Sequence, residues 1–188
     1  RYLHPDNVDF TDQNVYKNVW HSGNFLAIFQ FTENGARHFA REARPTSIEE
    51  IAALTSIYRP GPLAISVDKD WISTKSSGVD SVKYEHPLIK GVLYPTFGFP
   101  IFQEQLMLLG KKLGKLDWSS ADKLRKILIP KSRNDVGPNP LRDKVYGEFL
   151  SGCAENNFVG GVDLWEKMSK FSGYAFNKSH AISYSLIS

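Results

Sequence analysis

The sequence holds a single cysteine, Cys153, in 188 residues. One thiol excludes a disulfide within the chain and fits a reducing compartment, so a cytoplasmic setting is expected. Cys153 has no His or Cys neighbour at ligand spacing, which argues against a structural zinc site. No apolar run approaches the roughly 20 residues that cross a bilayer, so no membrane partner is expected. Also missing are a Gly-x-Ser-x-Gly elbow, a glycine-rich phosphate loop, a Cys/His framework, an internal repeat and any low-complexity tract. A large excess of one charge is missing too. Lys+Arg 23 against Asp+Glu 20 leaves +3, too mild to require a nucleic-acid partner.

What is present is an ordinary globular composition, 41% hydrophobic and 23% charged, enough for one sizeable core or two small ones. The charge is unevenly spread. Lys111, Lys112, Lys115, Lys123, Arg125, Lys126, Lys131 and Arg133 face only Asp117 and Asp122 within one block. Such a block is a solvated face or an electrostatic footprint for phosphates. The chain opens on Arg1 rather than Met and closes in the apolar "YSLIS". A piece of a longer polypeptide, truncated inside a helix, is the expectation.

Periodicity predicts a mainly α fold with a few short extended segments, an α+β arrangement. "DQNVYKNVW" has the spacing of a short amphipathic helix, and "FLAIFQF" reads as a buried strand or turn. "NGARHFAREAR" is a helix stopped by Pro45. "TSIEEIAALTSIY" is a helix with Thr46 and Glu49 as its capping box. "RPGP", Arg59 to Pro62, reads as a rigid turn that forbids helix. "LAISVDKDWISTK" and "GVLYPTFGFP" read as extended. Phe102, Leu106, Leu109 and Leu113 share one helical face, and "SSADKLRKIL" is a helix with a serine cap. "KSRNDVGPNP" is a loop, followed by helices over Leu141 to Asn156 and Val162 to Phe171.

Besides the basic block, two places carry chemistry on residue grounds alone. On an extended segment, Asp68 and Asp70 would share a face and could hold Mg²⁺, which prefers oxygen ligands; the plainer reading is a solvated acidic pair. "FSGYAFNKSHA" packs Asn177, Lys178, Ser179 and His180 behind three aromatics. That is either a helix cap or a ligand loop with Lys178 reaching an anion at a helix N-terminus.

The words "AIFQF", "IAALTSIYRPGP", "YEHP", "PTFGFPIFQEQLM", "ADKLRK" and "FSGYAFNKSHAISY" stand in the order and spacing of a known family. From about Asp9 to Ser188 the chain resembles the bacterial replicative DNA polymerases of the C family, the alpha subunits of DNA polymerase III. "RPGP", "QEQ" and "FNKSHA" are specific to it in combination. The resemblance implies the fingers of such a polymerase. Residues 1–24 would lead from the palm, residues 25–188 would form the fingers region, and residues 64–75 would be an extended segment returning to the palm. Asp70 or Asp68 would then be the third metal-binding aspartate for catalytic Mg²⁺.

By the same resemblance Arg125 and Lys126 contact the triphosphate of an incoming deoxynucleotide. Lys131, Lys69, Lys75 and Arg59 are weaker candidates, and Asn177, Lys178, Ser179 and His180 form the nucleotide-side loop. Lys111, Lys112, Lys115 and Arg133 would follow the DNA backbone. The implied partners are primer–template DNA, deoxynucleoside triphosphates, the palm and thumb, and, through regions outside this chain, a sliding clamp and other replisome subunits. The chain departs from the family at Phe102, at Ala175 and across Ile127 to Lys131, where Pro130 removes a base. Such divergence suits a phage or otherwise fast-evolving homologue. Without the palm's paired aspartates the segment alone is expected to be inactive; the alternative is a fingers-like DNA-binding or replisome-interaction module without catalysis.

Overall fold

Several helices begin where the sequence supplies an acceptor or a proline. The computed structural model describes residues 7–128 and 139–187. Asp12 opens α1 (Gln13–Val15), accepting from the Asn14 amide, and Ser47 opens α3 (Ile48–Ile57), its side chain accepting from the Glu50 amide. Pro60 is the first residue of α4 (Pro60–Ala64). His86 with Pro87 starts α6 (Pro87–Leu93), and Asn139 with Pro140 starts α9 (Pro140–Glu155). Both residue types answer one need: the first backbone amides of a helix have no internal partner, and proline has no amide to satisfy. The remaining helices are α2 (Asn34–Ala43), α5 (Val67–Ser76), α7 (Gln103–Lys112), α8 (Trp118–Leu128), α10 (Gly161–Ser172) and α11 (Lys178–Ile187). Mainly α is therefore correct. Among the described residues the β structure is a single parallel bridge, Phe102 with Phe176.

The chain divides into two compact units, residues 1–78 with 178–188, and residues 79–177. In the first, α1 widens into a π-helical turn over Tyr16–His21, and Tyr16 and Trp20 are buried. "FLAIFQF" is neither strand nor helix. Two successive turns, Ile28 N–H to Phe25 O and Phe31 N–H to Ile28 O, put Ala27 and Gln30 in the left-handed region at φ 61° and 69°. Every third side chain then points inward. Phe25 and Phe31 pack on Trp20 with ring centroids 5.5 and 5.1 Å away. α3 is buried from Ile51 to Ile57, and α11 packs along it. Such a helix has no polar face to spare. Its Thr55 and Ser56 hydroxyls donate back to the carbonyls of Ile51 and Ala52.

Several expectations are corrected here. "RPGP" does not forbid helix, because prolines in a first turn displace no helical hydrogen bond. Residues 64–75 are not extended; Val67 and Trp71, four apart, are both buried along α5, and that packing outweighs β propensity. "GVLYPTFGFP" contributes the end of α6 and a 3₁₀ turn over Tyr94–Thr96. The capping box lies one residue later than expected. Ser47 accepts from Glu50 N–H, while Glu50 Oε2 accepts from Thr46 N–H at 2.7 Å. α8 is capped not by serine but by Asp117, whose carboxylate accepts from Ser120 N–H at 2.6 Å.

The second unit is a helical cluster around Leu106, Leu109, Leu113, Leu124, Phe149 and Met168, all at 0% exposure. Leu106 and Leu109 are the inward face expected of α7, whereas Phe102, buried as well, is extended just before the helix and lies in the bridge to Phe176. α9 and α10 fall within a residue of the expected spans. Residues 131–138 of the expected loop, with Pro130, Lys131 and Arg133, lie outside the described residues.

Cys153 sits in this core at 1% exposure. Burial pushes its thiol from 9.0 up to about 11. A group whose pKa is raised on folding stabilises the fold fully below its unfolded value and loses that contribution as pH rises through the folded one. Between pH 9 and 11 the unaltered chain should lose about 2 kcal/mol more than Cys153→Ala does. Urea unfolding at the two pH values checks this; parallel losses would refute it.

Candidate functional site

The N-terminal end of α7 gathers three stretches that are distant in sequence. Gln103 N–H donates to Phe176 O at 2.9 Å, and Phe176 N–H donates to Ile101 O at 2.8 Å. The Gln103 side chain works in both directions: its Nε2 donates to Ala175 O at 3.2 Å, and its Oε1 accepts from Arg125 Nη1 at 3.0 Å. Beside it, Glu104 Oε1 accepts from Asn177 Nδ2 at 3.2 Å. Gln105 faces inward and is buried. Its Oε1 accepts from Phe102 N–H at 3.0 Å, and its Nε2 donates to Thr96 Oγ1 at 2.7 Å and Val92 O at 3.2 Å. Each residue of "QEQ" therefore has a separate task. Gln105 anchors the helix end, Gln103 orients Arg125, and Glu104 holds Asn177.

Arg125 is half-buried, and Asp122 Oδ1 stands 3.6 Å from its Nη2. A guanidinium presents five donors in a planar fork, so Gln103 and Asp122 together fix the plane in which it can meet an anion. Lys126 is exposed and paired with Asp122 at 2.8 Å. That hydrogen bond is the main cause holding the Asp122 carboxyl below its ordinary value, with Arg125 contributing less.

The other lysines of the basic block lie elsewhere. α7 is ten residues long, about 15 Å, and Lys111 and Lys112 occupy its far end. Lys111 Nζ lies 4.7 Å from the ring centroid of Trp118. Lys115 pairs with Glu155 at 2.8 Å. Among the described residues, Arg125 and Lys126 are thus separated from Lys111 and Lys112 by the length of α7.

In the other unit, Asp68 and Lys69 line a cleft of about 530 Å³ with His38, Glu42 and Tyr58; Asp70 is exposed. Two residues apart on a helix are about 200° apart around its axis. Asp68 and Asp70 therefore do not share a face, which corrects the reading based on an extended segment. No group of three His, Cys, Asp or Glu side chains suited to a metal occurs among the described residues. The pair does not fit a Mg²⁺ site by itself.

Lys75 is committed to structure. Its ammonium donates to Ala43 O, Arg44 O and Glu50 Oε2 at 2.8, 2.7 and 2.7 Å, which uses its three hydrogens. Arg59 Nε donates to Ser56 O at 2.8 Å, and burial pushes its guanidinium pKa down. Lys178, Ser179 and His180 form the first turn of α11, so the helix start and the polar cluster coincide. The His180 ring lies 4.6 Å from that of Tyr184. Sequence reasoning missed Gln103 and Glu104 as partners of Arg125 and Asn177. Their signal was two polar residues opening an otherwise apolar helix.

The sequence pattern of the bacterial DNA polymerase III alpha subunit finger domain matches residues 1–157. DNA polymerase III subunit alpha of Borreliella burgdorferi is 35% identical over 193 residues, covering 100% of this chain and 16% of that protein. The same subunit of Campylobacter jejuni is 34% identical over 184 residues, covering 97% of this chain and 15% of that protein. For Pseudomonas aeruginosa the figures are 30% over 195 residues, 99% and 16%. The chain therefore spans about a sixth of the length of these relatives. It belongs to the finger-domain family of bacterial DNA polymerase III alpha subunits.

Proposed function

We propose that this chain supplies the fingers of a DNA-directed DNA polymerase and that Arg125 grips the triphosphate of the incoming deoxynucleotide. The observation that carries this is the Gln103–Arg125 hydrogen bond beside the Ala175–Asn177 stretch, which joins the three family motifs of one unit in a single place. Phosphoryl transfer asks little covalent chemistry of a protein. It asks for positioning and for positive charge held where the phosphates sit. A guanidinium oriented in advance gives both, since less side-chain freedom is lost on binding. Gln103 is a positioning residue in this reading and Arg125 the binding one. Lys126, exposed and already paired with Asp122, adds longer-range attraction. Lys111 and Lys112, at the far end of α7, serve the nucleic-acid backbone rather than the nucleotide.

The test supplies the chain together with a palm-bearing polypeptide and measures primer extension against nucleotide concentration. Arg125→Ala should raise the nucleotide concentration for half-maximal rate by roughly 10- to 100-fold, the loss of a charge-assisted contact. Gln103→Ala should raise it less, with Arg125 still present but unaligned. Equal extension with and without Arg125 would refute the triphosphate role.

A further inference from the structure

The chain has four tryptophans. Trp20, Trp71 and Trp165 are buried to 4% exposure or less, whereas Trp118 is 57% exposed. Burying a large aromatic is among the strongest contributions a side chain makes to a core, and here the fold leaves one in water. Trp118 opens α8 next to the end of α7, with Lys111 Nζ 4.7 Å from its ring centroid. Lys112 is exposed beside it. No carboxylate pairs with Lys111 or Lys112 among the described residues. Of the nearby acids, Asp117 is engaged in capping α8 and Glu155 is paired with Lys115.

An exposed indole beside unpaired ammonium groups is the chemistry that holds unpaired nucleic acid: the ring stacks on a base and the cations take the flanking phosphates. We infer that Trp118 is a stacking platform for one base of single-stranded DNA, with Lys111 and Lys112 on the adjoining backbone. This rests on the reading of the chain as part of a DNA polymerase, whose template is unpaired ahead of the primer end. Lys111 has a second task in this arrangement. Its contact with the ring restrains the indole before DNA arrives.

The experiment titrates the chain with a short oligothymidylate and with an abasic oligonucleotide of the same length and charge, following tryptophan fluorescence and, independently, anisotropy of labelled strands. With three tryptophans buried, quenching reports mainly on Trp118. The base-bearing strand should bind roughly tenfold tighter than the abasic one, the lower part of the range for one stacked base. Trp118→Ala should bring the two within about twofold while preserving salt dependence, and Trp118→Phe should restore most of the preference. Circular dichroism establishes that the variants fold. If both strands bind the unaltered chain equally, or if Trp118→Ala keeps the preference, the stacking inference falls and the DNA-binding reading stands. If neither strand binds, both fall.

Discussion

Gly152→Ala should destabilise the chain by about 3 kcal/mol, although alanine is the better helix former. Gly152 lies in α9, where that helix crosses the link between α7 and α8. A methyl group there would sit 2.0 Å from Gly114 O and 2.2 Å from Gly114 C. These are backbone atoms and cannot rotate aside. Gly114 is pinned in turn, since the space at its own Cα is taken by the Phe149 ring and Gly110 O. Asn156 Nδ2 clamps the same link by donating to Leu113 O at 2.7 Å and Lys112 O at 3.2 Å. The methyl can be accommodated only by moving α9 off the core, which puts the cost at the upper end of overpacking penalties. Out of a total stability of about 5–15 kcal/mol, that is a large fraction.

Gly147, exposed in the same helix, has nothing within 4 Å of a built methyl. Gly147→Ala should therefore stabilise by about 0.5–1 kcal/mol. Urea midpoints of the two variants settle the matter. A Gly152→Ala midpoint equal to or above that of the unaltered chain would show that the close approach does not exist.

Glu50→Ala should cost about 3 kcal/mol, through a different mechanism in the other unit. One carboxylate oxygen serves α3 and α5 together: Glu50 Oε2 accepts from Thr46 N–H and from Lys75 Nζ, each at 2.7 Å. Lys75 in turn covers the last carbonyls of α2. Both side chains are largely enclosed, at 18% exposure for Lys75 and 12% for Glu50. Burial pushes the Lys75 ammonium pKa below its ordinary value, and Glu50 opposes that push. Removing Glu50 leaves a cation enclosed without its counter-charge, so the cost is largest while Lys75 is protonated. The penalty should shrink as pH rises through the lowered pKa, because a neutral amine needs no counter-charge. Glu50→Ala,Lys75→Met should recover much of the loss. A single variant with the same deficit at all pH values would show that the capping of α3, not the ion pair, carries the effect.

α7, α9 and α10 were legible because the burial pattern and the 3.6-residue period agree. Leu106, Leu109 and Leu113 lie inward at that period, whereas Phe102 is buried through the extended bridge to Phe176. Residues 64–75 were misread for the opposite reason. Their composition favours strand by a few tenths of a kcal/mol per residue, but Pro60 starts a helical turn and Val67 and Trp71 bury together only on a helix. The same error produced the shared face for Asp68 and Asp70, since period two holds only for extended backbone.

The sequence alone determined the helical class, the family and the residues available for chemistry, because these depend on local period and on motif order. It carried no record of which side chains meet. Arg125 reaches Gln103 across 22 residues and Asn177 reaches Glu104 across 73, distances over which side-chain spacing says nothing. Tertiary structure decided that Lys75 spends its charge on helix ends and that Gln103 aligns Arg125. It also left Trp118 in water while burying the other three. Each outcome is settled by which helices pack together, and that depends on the whole core at once.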